Sequence, residues 1–227
     1  MNEKEKLIKS FFDIRGNEQN KKLKRCKDEL ERFLVKNNDS DLTDLLNLVN
    51  ALITYYENSD KEEARRWVID IWDKLNSKPN FSLYDIRLLN YILFTEPDIE
   101  KLVEYVDYAL EQLEIYKFHE DYIRVKVALK LNLLNLLLEA KFFNEQFNDE
   151  LTAKMFEVIE EVIALNLTHQ LNNKYYIGLA NMYKGILLKN KNTIYVGFIL
   201  LESSGHKDDN DLQDLIKMYV QKYNIVV

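Results

Sequence analysis

The run His119-Glu120-Asp121-Tyr122-Ile123-Arg124-Val125-Lys126-Val127-Ala128-Leu129-Lys130-Leu131-Asn132-Leu133-Leu134-Asn135-Leu136-Leu137-Leu138-Glu139 decides how this chain is read. At a helical turn of about 100° per residue, Asp121, Arg124, Ala128, Asn132, Asn135 and Glu139 fall in one narrow stripe. Its flanks are almost wholly Leu, Val, Ile and Ala. The helix must therefore be covered on more than one side. An Arg and two Asn along such a helix are costly unless they meet hydrogen-bond partners or line a wet cavity. Two readings compete. The stripe lines a groove that grips a ligand, or it faces bulk water at the rim of a helical stack. Taken alone, the helix slightly favours the solvated stripe, the commoner fate of polar residues.

Composition points the same way for the whole chain. Its 227 residues can bury a substantial core, and 47% of them are hydrophobic, which excludes a largely disordered protein. Five Gly and two Pro, with long Leu-, Lys-, Glu- and Asn-rich runs, predict an all-α chain with short connections. The Leu-rich stretch is cut by Lys126, Lys130, Asn132 and Asn135, so it does not read as a membrane span. Met-Asn-Glu-Lys-Glu-Lys at the amino terminus has no apolar signal core behind it. A single Cys26 gives no intrachain disulfide and fits a reducing cytoplasm. The formal charge of −7 gives no support to nucleic-acid binding by the chain alone.

Working outward, apolar periodicity and capping residues mark successive helices. Residues 3–15 read as a short amphipathic helix stopped near Gly16, followed by a charged helix over residues 18–36. Its segment Lys21-Lys22-Leu23-Lys24-Arg25-Cys26-Lys27 is basic, but Asp28, Glu29 and Glu31 beside it favour a solvated face over a phosphate site. Asp41 is expected to cap a third helix. Asp60 with Glu63 and Ser82 with Asp85 resemble capping boxes. Helix starts recur near 41, 60, 82, 98, 119, 149, 171, 193 and 210, about twenty residues apart, or roughly forty per hairpin, the scale of tetratricopeptide repeats. The expected fold is a right-handed superhelix of antiparallel helical hairpins with about eleven helices. A compact, irregular helical bundle is the alternative. Residues 1–36 are expected to form helices that pack on or link to a repeat domain over 37–227.

In the helix expected over 172–189, Lys174, Gly178, Asn181 and Gly185 share a stripe. Each mid-helix Gly costs about 1 kcal/mol against Ala. Close packing against a neighbouring helix is the better reason for two of them; a groove floor kept clear for a ligand backbone is the other.

Chemistry is sparse. His119, His169 and His206 stand in no metal-ligand spacing, and Glu160 and Glu161, being adjacent, point differently on their helix. There is no glycine-rich phosphate loop, no Gly-x-Ser-x-Gly and no Cys-x-x-Cys. Cys26 lies on an apolar face and reads as a small core residue. No enzyme activity, metal or cofactor is expected.

Trp72-Asp73-Lys74-Leu75 leads to Phe81-Ser82-Leu83-Tyr84-Asp85-Ile86-Arg87-Leu88-Leu89-Asn90 within Trp67 to Phe94. This resembles the tryptophan, tyrosine–acid–leucine and asparagine stretch of Rgg/GadR/MutR-type transcriptional regulators of Gram-positive bacteria. The later segment, from Asn181-Met182-Tyr183-Lys184-Gly185-Ile186 to Gly205, is similar to that family's carboxy-terminal helices. The resemblance covers roughly residues 18–223 and departs at Asp85-Ile86, where Glu-Leu is more typical.

It implies a tetratricopeptide-like domain that dimerises and receives a short linear peptide pheromone, in the cytoplasm, behind an amino-terminal helix-turn-helix. About forty residues precede the third helix, too few for that DNA-binding domain, and they carry no recognition-helix pattern. The expectation is either an excised regulatory domain or a natural protein that reaches DNA only through a partner.

The expected peptide groove places Arg87, Asn90, Arg124, Asn132, Asn135 and Asn181 on the concave face. Tyr84, Leu131, Tyr175 and Tyr183 are its expected apolar walls. Arg124 suits a ligand carboxylate, and the Asn amides suit a peptide backbone. Tyr195, Phe198, Ile199 and Leu200, with Leu215, Met218 and Tyr219, exceed what a terminal pair needs to pack inward, which predicts a C2 homodimer. A helical-repeat scaffold that binds another folded protein, with no small effector, is the alternative function.

Overall fold

The computed structural model describes residues 2–14, 19–143, 148–169 and 173–204, and within them each of these periodic segments forms a helix. The order is α1 (Glu3–Phe12), α2 (Gln19–Leu34), α3 (Ser40–Asn58), α4 (Lys61–Ser77), α5 (Leu83–Ile92), α6 (Ile99–Leu113), α7 (Tyr122–Phe143), α8 (Asp149–Thr168), α9 (Lys174–Leu187) and α10 (Lys191–Ser203). Short 3₁₀ turns at Leu93–Thr95 and Glu114–Tyr116 follow α5 and α6. There is no strand among the described residues. The fold is all-α, as expected. The eleventh helix, expected over 210–223, lies outside the described residues.

The chain divides after Asp98 into two compact units, Met1–Asp98 and Ile99–Val227. Within the first unit, α2 packs along α3.

In the first unit, consecutive helices pair and next-but-one helices also touch: α1 with α3, and α3 with α5. The helix starts are set by local chemistry. Ser82 accepts from the Asp85 backbone N–H at 3.1 Å while the Asp85 carboxylate accepts from the Ser82 N–H at 2.9 Å, the reciprocal capping box read from sequence. Asp60 accepts from the Glu63 N–H at 2.9 Å. Asp39, not Asp41, caps α3, accepting from the N–H groups of Asp41 and Leu42, each at 3.1 Å. The core is Leu-rich: Leu30, Leu42, Leu45, Leu48, Ile71, Ile86 and Leu89 are buried, with Trp72 beside them. Trp72 Nε1 donates to Thr95 Oγ1 at 3.0 Å, so the indole N–H is satisfied inside the core.

In the second unit, α7 carries the core. Val127, Leu129, Leu133, Leu134, Leu137 and Leu138 are buried all round the helix, which is why it shows no single apolar side. It packs on α6, on α8 and directly on α9, its next-but-one neighbour. The glycine stripe has the packing reason. A Cβ on Gly185 would lie 2.6 Å from the Ile194 backbone nitrogen, and one on Gly178 would lie 3.0 Å from the Gly197 carbonyl. Gly197 of α10 returns the contact, with Met182 N at 2.8 Å. Three glycines thus let α9 and α10 approach closer than any side chain permits.

Candidate functional site

The polar stripe of α7 begins outside the helix. The sequence places the helix start near His119, whereas His119 and Asp121 form the turn before it: Asp121 N–H donates to His119 Nδ1 at 3.1 Å. Arg124 then folds back onto Asp121, donating from Nη2 to Oδ1. Its side chain is 54% exposed. This is the paired, exposed rim that competes with a ligand role, since a carboxylate arriving at Arg124 must share the guanidinium with Asp121.

Farther along α7 the stripe grows more enclosed. Asn132 is exposed and Asn135 half-buried. Asn135 Oδ1 accepts from the hydroxyl of Tyr183 on α9 at 3.3 Å, so α9 stands directly beside the stripe. The Asn135 amide nitrogen retains donors beyond that bond. Tyr183 itself is buried, and its ring belongs to the α7–α9 packing rather than to an accessible wall. Leu131 is likewise in the core, 6% exposed. Both were expected as apolar walls; the crowding of α7 by three neighbouring helices takes them inside. Asn181 is half-buried and donates from Nδ2 to the Ile177 carbonyl of its own helix at 2.8 Å. Tyr175 is half-buried and packs edge-on against Tyr176, ring centres 5.9 Å apart. The second unit therefore brings Asn132, Asn135 and the Tyr183 hydroxyl to one seam, with Arg124 at its end.

The opposite side of α7 is tied to α8. Lys130, only 6% exposed, ion-pairs with Glu161, and Lys141 Nζ donates to Thr152 Oγ1 at 2.7 Å. At the helix start, Glu114 accepts from the Tyr122 hydroxyl at 2.5 Å and from Lys126 Nζ at 2.6 Å. The Lys126 and Tyr122 bonds hold the Glu114 carboxyl below its ordinary pKa.

Arg87 and Asn90 sit on α5 in the first unit, both half-buried. Their helix face is already covered. Phe12 of α1 stacks 6.1 Å from Tyr84 and 5.8 Å from Tyr91, Phe11 lies 5.1 Å from Tyr91, and the Arg87 guanidinium stands 5.3 Å over the Phe12 ring. The Tyr84 hydroxyl donates to the Asp41 carbonyl at 2.8 Å. Sequence reasoning missed this cluster because its members lie some seventy residues apart. The paired aromatics Phe11 and Phe12 on a short helix were its one visible sign.

Several residues behind the family resemblance hold structural positions. Trp72 bonds Thr95, Asp85 caps α5 and pairs with Lys78 at 2.6 Å, and Lys74 pairs with the buried Asp44 at 2.6 Å. Cys26 is buried, and burial pushes its thiol up to about 12, so it stays protonated at neutral pH. Among the described residues, no group of three or more His, Cys, Asp or Glu is placed to hold a metal ion. No described helix is long and apolar enough to cross a membrane. No family model matches the chain, and no curated protein or solved structure matches it.

Proposed function

We propose that this chain is a peptide-sensing regulatory module of the kind the Rgg/GadR/MutR resemblance implies, reading a short linear peptide and signalling as a homodimer. The observation that carries the proposal is the α7 seam. A helix packed by apolar residues on its other sides keeps Asn132 and Asn135 at least partly accessible beside the Tyr183 hydroxyl of α9. Amide side chains offer a donor and an acceptor each, the pair that an extended peptide backbone needs. Signalling is then a shift between two packings of the helical hairpins, passed to an attached or partner DNA-binding domain.

Titrating the full chain with a library of fluorescently labelled short hydrophobic peptides tests this. Saturable binding that Asn135→Ala weakens is the expected result. A library that never binds, while the chain captures a folded protein through the same seam, would replace the proposal with the interaction-scaffold reading.

A further inference from the structure

The first helix is seated as a ligand is seated. α1 turns Leu7, Phe11 and Phe12 inward, and all three are buried. Their partners are not confined to the next helices in the chain. Lys4 reaches Asp39 at 2.9 Å and Asp41 at 2.6 Å at the start of α3, and the two Phe rings enter the Tyr84–Arg87–Tyr91 face of α5. Tyr84, Arg87 and Tyr91 stand at i, i+3 and i+7, one side of a helix. A cation at one end and paired aromatics at the other is the format by which grooves hold an amphipathic helix.

Two further features separate α1 from an ordinary core helix. It is capped within itself: Asn2 and Glu5 exchange both bonds of a capping box, at 2.8 and 2.9 Å, and the Asp13 N–H closes the far end on the Lys9 carbonyl at 3.0 Å. α1 also packs on α2, its neighbour in sequence, and that contact has a gap. A cavity of about 300 Å³ lies between Ser10 and Asp13 on one side and Lys22, Arg25, Cys26 and Glu29 on the other. At ten residues α1 is below the roughly 12–15 at which an isolated helix becomes even marginal, so its helicity depends on the seat.

We propose that the face formed by α3 and α5 is a helix-binding groove occupied in cis by α1, and that α1 leaves it as a unit. The ligand class is an amphipathic helix with a cation two turns ahead of adjacent aromatics. This inference rests on the first unit alone and stands or falls separately from the α7 seam.

The test uses a fluorescein-labelled peptide of residues 2–14 and the full chain. In anisotropy titrations, chains carrying Phe11→Ala with Phe12→Ala, or Lys4→Glu, are expected to bind the peptide at least ten-fold more tightly than the unsubstituted chain. A peptide with both Phe replaced by Ala is expected to bind none of them. Helical circular dichroism reports whether each chain stays folded, and the milder Lys4→Glu decides if the double variant does not. The proposal is overturned by folded variants that fail to bind, by an unsubstituted chain that binds equally well, or by both variants unfolding, which would make α1 an integral core helix. Peptide binding that appears only as the unsubstituted chain dissociates from a dimer would mean that a second copy's α1 fills the groove, and this too overturns occupation in cis.

Discussion

The Tyr183 hydroxyl of α9 donates to the side-chain oxygen of Asn135 on α7 at 3.3 Å, so a member of the polar stripe to which the proposed function gives a ligand contact is also a joint between two helices. The two roles separate by substitution. Tyr183→Phe removes the donor and keeps the amide; it is expected to lower stability by about 0.5–1.5 kcal/mol and leave peptide binding nearly unchanged. Asn135→Ala loses the joint and the ligand contact together, and is expected to weaken peptide binding by about ten-fold, or about 1.4 kcal/mol. Denaturant melts and peptide titrations of both variants check this. Equal losses of binding would show that the seam acts through packing alone.

Glycine substitutions in the α9–α10 pair should rank by what the new methyl meets. At Gly178 the nearest atom is Leu201 Cγ at 2.8 Å, a side chain with some freedom to turn. At Gly185 and Gly197 backbone atoms stand as close as the side chains: Ile194 N at 2.6 Å and Gly178 O at 2.7 Å. Alanine gains about 1 kcal/mol of helix propensity over glycine, while overpacking costs about 1–3 kcal/mol or more. Gly185→Ala and Gly197→Ala are expected to destabilise and Gly178→Ala to come closest to neutral. Thermal melts give the order, and a neutral Gly197→Ala would contradict it.

Thr95→Val tests the buried bond of Trp72. Thr95 Oγ1 accepts from Trp72 Nε1 and donates to the Ile92 carbonyl at 2.7 Å, so valine keeps the shape but takes this acceptor from the buried indole N–H. The expected cost is about 1–3 kcal/mol. Trp72→Phe in the Thr95→Val background should add much less than it does alone, because the orphaned N–H goes with it. Additive losses in urea titrations would mean the bond carries little.

What the sequence made legible was local. The Ser82–Asp85 box is legible because its two members are three residues apart, and the Asp121–Arg124 pair for the same reason. At the α3 start the sequence reading names Asp41 as the cap, but a carboxylate two residues earlier can cap as well: Asp39 does so, and Asp41 takes Lys4, which is 37 residues away. The α7 stripe was visible as a pattern, but Leu131 and Tyr183 were misplaced as walls because periodicity cannot say how many helices surround a given side. Arg87 was legible as one face of α5; that α1 would cover it depends on a fold-back that no local spacing records. Gly178 and Gly185 announce a close contact, while what meets them, Gly197 for the one and Ile194 for the other, lies on another helix.

Acid should loosen the first unit through two carboxylates. Burial pushes the Asp85 carboxyl upward, but hydrogen bonds from Lys78 and from Ser82 outweigh it and leave the pKa below the ordinary value. For Asp39, burial is likewise outweighed, by Lys4 and by the Leu42 and Asp41 N–H groups. A folded pKa below the unfolded one, about 3.9 for Asp, gives stability that is fully present above that value and is lost as pH falls through the lowered one. Asp85→Asn is expected to be less stable at neutral pH yet to lose less on acidification. Urea midpoints followed from pH 7 to 2 check the sign; a variant with the full acid slope would assign the loss elsewhere.

Assembly is tested at α10. Its inner side is Ile194, Gly197 and Leu201, all buried against α9, whereas Tyr195, Val196 and Ile199 are 55%, 49% and 45% exposed. Of the residues expected at the dimer surface, Tyr195 and Ile199 are exposed and Phe198 and Leu200 half-buried, while Leu215, Met218 and Tyr219 lie outside the described residues. A charge there should be tolerated by a monomer, since the position is wet, and rejected by an interface that dehydrates it. Ile199→Glu is therefore expected to keep the melting temperature of the unit within a few degrees while converting a dimer to a monomer in light scattering at tens of micromolar. An unsubstituted chain that is already monomeric under those conditions would remove the homodimer from the proposed mechanism and leave the α10 face without a role.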